Sequence, residues 1–235
     1  MEINELNSLS PMRVFDKAIG GGLGKGNLGV LVSRRGVGKT ACLVQLATDK
    51  LLHGEHVIHV SFNGNVEHVI AWYKEVFNSI SKGLSLDDAN SIYEQIVRHR
   101  FVMNFSQEDV SIKKVLSNLE TQIKEGILKA DAVLFDGYKL TLASQEDVQA
   151  IKKFAEDLQL EVWFSVSPVR SDATIDKYGV PNTIDPYRSV VDVLIGLKYD
   201  DATDKVVMTC VHAHGKDLQK PVGVDLDPRT MLISR

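Results

Sequence analysis

The chain has 235 residues, enough for one α/β domain with a sizeable buried core. Its hydrophobic fraction of 44% and charged fraction of 25% are typical of globular proteins, and no apolar run is long enough to span a bilayer. The formal net charge of −4 provides no global attraction to nucleic acid. Because residues 1–5 are acidic and polar rather than basic and then apolar, we expect a cytoplasmic protein without membrane contact. Cys42 and Cys210 lie too far apart for a paired-cysteine metal motif and are expected to be buried thiols.

Hydrophobic periodicity predicts alternating strands and helices after a polar lead-in at residues 1–12 and a glycine-rich turn. A loop without elements of its own is expected at 167–187, and strand-like runs follow it. This order predicts a single α/β domain over residues 1–235, with a mostly parallel central sheet flanked by helices and antiparallel strands at the C-terminal edge. The predicted strands are 30–32, 56–62, 101–105, 132–136, 161–166, 190–199, 205–212 and 222–233, and the predicted helices are 43–51, 66–82, 86–98, 112–128 and 146–158.

A glycine-rich turn between the first strand and the first long helix has the pattern of a phosphate-binding loop. Its glycines allow backbone amides to surround phosphate oxygens, and the helix N-terminus adds the positive end of its dipole. The alternative is a helix N-terminus that binds nothing, and Ser33 stands where the motif has its first glycine. The residues predicted to bind nucleotide are Ser33, Arg34, Arg35, Gly36, Val37, Gly38, Lys39, Thr40 and Ala41.

Two side chains are candidates for holding Mg²⁺ beside such a nucleotide. Asp136 ends the apolar run 132–135, and a carboxylate at the C-terminal end of a core strand opens into the crevice where α/β sheets bind ligands. The hydroxyl of Thr40 would hold the cation from the other side, while Lys39 would reach the β and γ phosphates. The simpler alternative for Asp136 is that it only begins a turn with Gly137. Arg34 and Arg35 either add charge to the nucleotide, contact a partner or lie on a solvated surface.

The segment at residues 15–40 resembles the entry to RecA-like ATPases, particularly the clock-protein and replicative-helicase motor branches. It carries the Phe-Asp-x-x-Ile-Gly-Gly-Gly-Leu pattern at 15–23, directly before the phosphate loop. Weaker similarity continues in the same order over about residues 14–233. The resemblance implies a RecA-like domain that binds ATP with Mg²⁺, assembles as a homo-oligomer and in some branches acts on nucleic acid.

Two catalytic features of that family are altered here. The glutamate that activates the attacking water falls at Asn63, whose carboxamide has no useful basicity. Glu67 lies one helical turn further along and either substitutes for it or is a first-turn acid stabilised by the helix dipole. Members of the family also carry a Lys and an Arg, two residues apart, that reach the γ-phosphate of a neighbouring subunit. This chain has His212 and His214 at those positions, and Lys216 is a possible substitute that is out of register. The two histidines, at i and i+2, are also expected to share a strand face, where they could form a metal pair.

We therefore expect a nucleotide-dependent switch or assembly partner that hydrolyses ATP slowly or not at all. One rival is an active ATPase motor on nucleic acid, with Glu67 and Lys216 as substitutes, although the loops after 136 and 166 are nearly neutral in charge. The other is a scaffold that keeps the fold without binding nucleotide.

Overall fold

The computed structural model describes residues 6, 10–62, 66–106, 110–168 and 174–234. Eight strands form one sheet in the order β3-β2-β4-β5-β1-β6-β7-β8. The first six of these are parallel, whereas β7 and β8 pair antiparallel at the C-terminal edge. The strands are β1 (Leu28–Val32), β2 (Val57–Ser61), β3 (Arg100–Asn104), β4 (Ala132–Asp136), β5 (Glu161–Val166), β6 (Val193–Asp200), β7 (Lys205–Ala213) and β8 (Lys216–Leu226).

Six α-helices accompany the sheet in the described residues. Serine side chains begin three of them by accepting a backbone N–H, at Ser85, Ser111 and Ser144. At Ser144 the Asp147 carboxylate also accepts from the Ser144 backbone, which completes a capping box. The helices are α1 (Pro11–Ala18), α2 (Lys39–Leu52), α3 (Val66–Ile80), α4 (Leu86–His99), α5 (Ile112–Lys124) and α6 (Gln145–Leu158).

The core has two apolar clusters. One contains the buried side chains of α2 and α3, and the other contains those of α5 and α6. Alternate residues of the central strands divide between them: Leu31 belongs to the first, and Val30 and Val32 belong to the second. Because a strand's successive side chains point to opposite faces, the clusters cover the two faces of the sheet. Every residue of β1, β2 and β4 is buried, as expected for parallel strands covered on both sides.

The structure confirms the predicted mostly parallel sheet with an antiparallel C-terminal edge, and it corrects three details. Residues 11–18 form helix α1, whereas residues up to 12 were expected to be a lead-in. The last strand is Lys216–Leu226 rather than 222–233, because its mostly polar residues occupy an exposed sheet edge that hydrophobic periodicity does not detect. The region predicted to be a loop without elements contains a 3-10 helix at Asn182–Tyr187 and a bridge between Ile175 and Pro181.

Two further expectations concern the cysteines and the membrane. Cys42 and Cys210 are buried free thiols, as predicted. Burial raises the pKa of Cys42 to about 12 and that of Cys210 to about 11. In the part of the chain that the structure describes, no helix combines the length and the apolar character needed to cross a membrane.

Candidate functional site

The predicted phosphate loop connects the carboxyl end of β1 to the first turn of α2. Ser33 is fully buried, and its amide continues the sheet by donating to the carbonyl of Val166 at 3.1 Å. Gly38 precedes the helix with a φ of 115°, a conformation that favours glycine. A Cβ on Gly38 would lie 2.7 Å from the end of the Met231 side chain, which would have to move to make room for it. The chain therefore makes a tight strand-to-helix turn at this position.

Lys39 is held inside the loop by oxygens at the loop's own beginning. Its Nζ donates to the carbonyl of Ser33 at 2.9 Å, to the Ser33 hydroxyl at 3.1 Å and to the carbonyl of Arg34 at 2.9 Å. Burial lowers the pKa of Lys39 to about 8, although the nearby Asp136 carboxylate acts in the opposite direction. An ammonium that has lost water is well suited to an anionic ligand, because the ligand's charge restores part of the lost solvation.

Thr40 and Asp136, the two predicted Mg²⁺ ligands, lie together although they are 96 positions apart in the sequence. The Thr40 hydroxyl donates to Asp136 Oδ2 at 2.8 Å, and the Ser165 hydroxyl donates to Asp136 Oδ1. Ser165 also accepts from the amide of Gly137 at 2.9 Å, so it fixes both the carboxylate and the turn that follows. Asp136 is only 2% exposed and ends β4 at the carboxyl edge of the sheet.

The donor set at this position suits Mg²⁺ only in part. A hydroxyl and a carboxylate are hard oxygen ligands, and Mg²⁺ usually takes one or two protein ligands and completes its octahedron with water and phosphate oxygens. Among the described residues, no group of three or more His, Cys, Asp or Glu side chains could hold a metal ion by itself. Thr40 and Asp136 therefore fit a cation that arrives with a phosphate ligand.

An open cleft of about 990 Å³ lies over this edge of the sheet. The phosphate loop and the Thr40–Asp136 pair line one part of it, and Arg35 contributes there as well, whereas Arg34 is exposed and not part of the lining. Its remaining lining comes from the carboxyl ends of β2, β3 and β5, from α3 and from the segments that follow β4 and β5. These residues are Phe62, His68, Trp72, Asn104, Phe105, Ser106, Gly137, Tyr138, Lys139, Ser165, Ser167 and Pro168.

Of the two candidates for the water-activating base, the structure describes only Glu67. Asn63 falls outside the described residues. Glu67 is exposed in the first turn of α3 and does not line the cleft. This position fits the interpretation of Glu67 as a first-turn acid at the positive end of the helix dipole.

The phosphate loop lies where the parallel strands end. The other three candidates, His212, His214 and Lys216, lie at the opposite end of the sheet, where the parallel strands begin. The carboxyl end of β7 pairs with Val193, which in turn pairs with Gly29 near the start of β1, whereas the loop follows the end of β1. Residues at this end of the sheet cannot contact a phosphate bound in the loop of the same chain.

The two histidines do not share a strand face, so that expectation was wrong. His214 follows β7 with a φ of 48° and is exposed, while His212 is 6% exposed within the strand. His212 Nδ1 lies 2.8 Å from Asp217 Oδ1, which also accepts from Arg188 at 2.8 Å. A register shift between Cys210 and His212 disturbs the pairing with β8 at this point. Lys216 begins β8 as an exposed residue.

Sequence reasoning missed Ser165 and the aromatic part of the cleft. Ser165 lies within an apolar strand and carries no motif, and its role becomes visible only because β5 lies beside β4 in the sheet. Phe62 and Phe105 each follow a short strand, and the position just beyond a parallel strand was the available signal. No protein-family model matches this chain, and no curated protein matches it significantly.

Proposed function

We propose that this chain is a RecA-like nucleotide-binding protein that takes up ATP with Mg²⁺ and acts as a nucleotide-dependent switch or assembly partner. The observation that carries the proposal is the juxtaposition of Lys39 and the Thr40–Asp136 pair at the helix N-terminus. Thr40 and Asp136 lie 96 positions apart in sequence, yet a 2.8 Å hydrogen bond joins their side chains where the parallel strands end, the place where α/β sheets bind ligands.

The charges support a polyphosphate rather than a neutral ligand. The Lys39 ammonium and the dipole of the 14-residue helix α2 both favour an anion at this position. Asp136 alone would repel that anion, but a Mg²⁺ ion between the carboxylate and the phosphates would reverse the sign of the interaction. Binding is accordingly expected to require the divalent cation.

Slow hydrolysis follows from the residues at the catalytic positions. The resemblance places a general base at position 63, where this chain has asparagine. Glu67 lies outside the cleft lining, and His212 is buried against Asp217. A site that binds nucleotide without turning it over quickly is suited to a switch whose state is set by occupancy.

Calorimetric titration and phosphate release test the two parts of this proposal. Mg-ATP is expected to bind the wild-type chain, and EDTA or Asp136→Asn is expected to weaken binding at least tenfold. Phosphate release by the bound chain is expected to stay well below about 1 s⁻¹, the lower end of ordinary enzyme turnover.

The variant Asn63→Glu tests why turnover is slow. By the resemblance to RecA-like ATPases, a carboxylate at this position would take the place of the missing general base, and a positioned general base contributes a rate factor of roughly 10²–10⁴. We expect Asn63→Glu to release phosphate faster while Asn63→Gln remains as slow as the wild type. Rapid release by the wild-type chain would instead favour the motor.

A further inference from the structure

The cleft continues beyond Asp136 along a row of aromatic rings at the carboxyl ends of neighbouring strands. The amide of Phe62 donates to the carbonyl of Asp136 at 2.8 Å, and the amide of Phe105 donates to the carbonyl of Ser61 at 2.9 Å. These bonds extend the sheet by one residue and place the rings side by side. The centroid of Phe62 lies 6.3 Å from that of Phe105 and 5.3 Å from that of Tyr138.

A second aromatic group reaches the same cleft from α3. His68 and Trp72 are one helical turn apart, with ring centroids 6.2 Å apart in an edge-to-face arrangement. Trp72 packs against the apolar cluster of α2 and α3, whereas Phe62 and Phe105 pack against the cluster of α5 and α6. The cleft therefore has aromatic side chains rooted on both faces of the sheet.

Apart from Tyr138, which is 5% exposed, these cleft aromatics are only partly covered, unlike the rings beneath them. Phe135 and Phe164 are fully buried, while Phe62, Phe105 and Trp72 each retain accessible surface. Aromatic surface left open in a concave site is a common feature of ligand pockets. The exposed Asn104 and Ser106, on either side of Phe105, add hydrogen-bond donors and acceptors to the same part of the cleft.

We propose that this aromatic part of the cleft is a second binding site, which takes a free nucleoside or a similar planar nitrogen heterocycle. Its placement next to the terminal phosphate rests on the proposed function, but the rings and polar groups that form it do not. The cleft volume of about 990 Å³ lies at the upper end of the range for small-molecule sites, so a second small ligand has room beside the phosphate loop.

The charge of the cleft favours a small uncharged ligand over a nucleic-acid strand. Of its described cations, Arg35 and Lys39 belong to the phosphate loop, and Lys139 is the remaining lysine or arginine in the described lining. A strand gains most of its affinity from neutralised phosphates, whereas a nucleoside gains it from stacking and from hydrogen bonds to the edge of its base.

Tryptophan fluorescence provides the test, because the chain has two tryptophans and they lie in different surroundings. Trp72 lines the cleft, and Trp163 is 1% exposed in the core. Adenosine and uridine, which carry no phosphate, are titrated separately into the full chain with and without a saturating non-hydrolysable Mg-ATP analogue. We expect a saturable change in emission with at least one of them, and we expect Trp72→Phe to abolish the optical signal.

Two phenylalanines near β3 form a matched pair of variants for calorimetry. Phe105 lines the cleft, while Phe101 is 42% exposed at the start of the same strand and does not. Losing a stacked ring is expected to weaken nucleoside binding at least about fivefold in Phe105→Ala. Phe101→Ala is expected to bind as the wild type does.

The outcomes separate this site from the phosphate loop. Both proposals are supported if Lys39→Ala loses binding of the ATP analogue but still binds nucleoside, while Phe105→Ala binds the analogue and binds nucleoside more weakly. If the analogue binds neither the wild type nor any variant, nucleotide binding fails, and the nucleoside titration in the absence of the analogue still tests the second site. A parallel titration with single-stranded oligothymidylate tests for a nucleic-acid strand in the same cleft. The nucleoside site is overturned if neither nucleoside saturates the signal up to about 1 mM or if the two phenylalanine variants bind nucleoside equally well. It is also overturned if only the oligothymidylate changes the emission.

Discussion

Asp136 depends on a serine that no motif identifies. The Ser165 hydroxyl donates to the Asp136 carboxylate and accepts from the Gly137 amide, so one side chain connects β5 with the end of β4. Removing it takes a donor from a buried charge and an acceptor from a backbone N–H. The first of these bonds is buried and the second only partly so, and leaving a buried polar group without its partner costs about 1–3 kcal/mol.

We predict that Ser165→Ala lowers the free energy of unfolding by about 1–3 kcal/mol in urea titrations and also weakens Mg-ATP binding. Ser79→Ala is the control, since its hydroxyl only donates to the Glu75 carbonyl one turn earlier in α3. That variant should remain within about 0.5 kcal/mol of the wild type. Equal stability of the two variants would show that Ser165 does not support the site.

A second residue-scale effect concerns Asp16, near the edge of the sheet opposite the phosphate loop. Burial, together with the negative charges of Asp49 and Glu161, raises the pKa of Asp16 to about 6 from an ordinary value of 3.8. Between those two pH values the folded chain binds more protons than the unfolded chain. The contribution of Asp16 to stability is therefore fully present below about pH 4 and is lost as the pH rises through 6.

The variant Asp16→Asn removes the ionisation that the folded state disfavours. We predict that its free energy of unfolding exceeds that of the wild type at pH 8 and that the difference shrinks as the pH falls from 6 to 4. Denaturant titrations at several pH values measure this difference. A constant or growing difference at low pH would show that the carboxyl group is not held against ionisation.

At the scale of elements, β1 carries the phosphate loop and is packed closely by its neighbour β5. Gly29 pairs with Trp163, and a Cβ at Gly29 would lie 2.4 Å from the indole ring. No small shift of a flexible chain end relieves this contact, because Trp163 is 1% exposed in the core.

We predict that Gly29→Ala lowers the free energy of unfolding by about 1–3 kcal/mol, the usual cost of overpacking a core. Gly83→Ala is the matched control, because a Cβ there meets nothing within 4 Å. Thermal unfolding compares the two variants. Equal midpoints would mean that the packing of β1 against β5 is looser than the contact indicates.

The elements that sequence predicted well are those whose burial leaves a hydrophobic pattern. The strand over 132–136 and the strand over 161–166 were predicted with the bounds observed, because each is an apolar run between polar turns. Strand β8 was misplaced, since its alternation is weak at an exposed edge. Helix α1 was missed because its eight residues are too few to establish a period.

The residues of the candidate site divide in the same way, into those that leave a signal in the sequence and those that depend on the three-dimensional arrangement. Residues contiguous in the phosphate loop could be predicted, and Asp136 could be predicted from its place after a core strand. Ser165 could not be assigned to the site, since its proximity to Asp136 depends on the order of strands in the sheet. Phe62 and Phe105 carried one signal, their place just beyond a strand, but the same strand order decides that their rings meet. His212 could not be assigned to Asp217 because a register shift in the β7–β8 pair determines that contact.

At the scale of the whole molecule, the two ends of the parallel strands carry different groups. The carboxyl ends hold Lys39, Thr40, Asp136 and the cleft, whereas His212 and Lys216 lie near the amino ends. The proposed nucleotide site is therefore confined to the carboxyl ends of the strands and does not involve the groups at the other end of the sheet in the same chain. This arrangement agrees with the proposed switch read by occupancy, in which contact between His212 or Lys216 and the phosphates would require a second copy.

The most direct test of nucleotide binding is thermal unfolding with and without Mg-ATP, in the wild type, Lys39→Ala and the surface control Lys153→Ala. At 100 times the dissociation constant, a ligand specific for the native state stabilises it by about 2.7 kcal/mol. For a chain of this size, that corresponds to roughly 5–10 °C in the midpoint. We predict this rise in the wild type and in Lys153→Ala but not in Lys39→Ala. An unchanged wild-type midpoint at millimolar Mg-ATP, or an equal rise in Lys39→Ala, would contradict nucleotide binding at this loop.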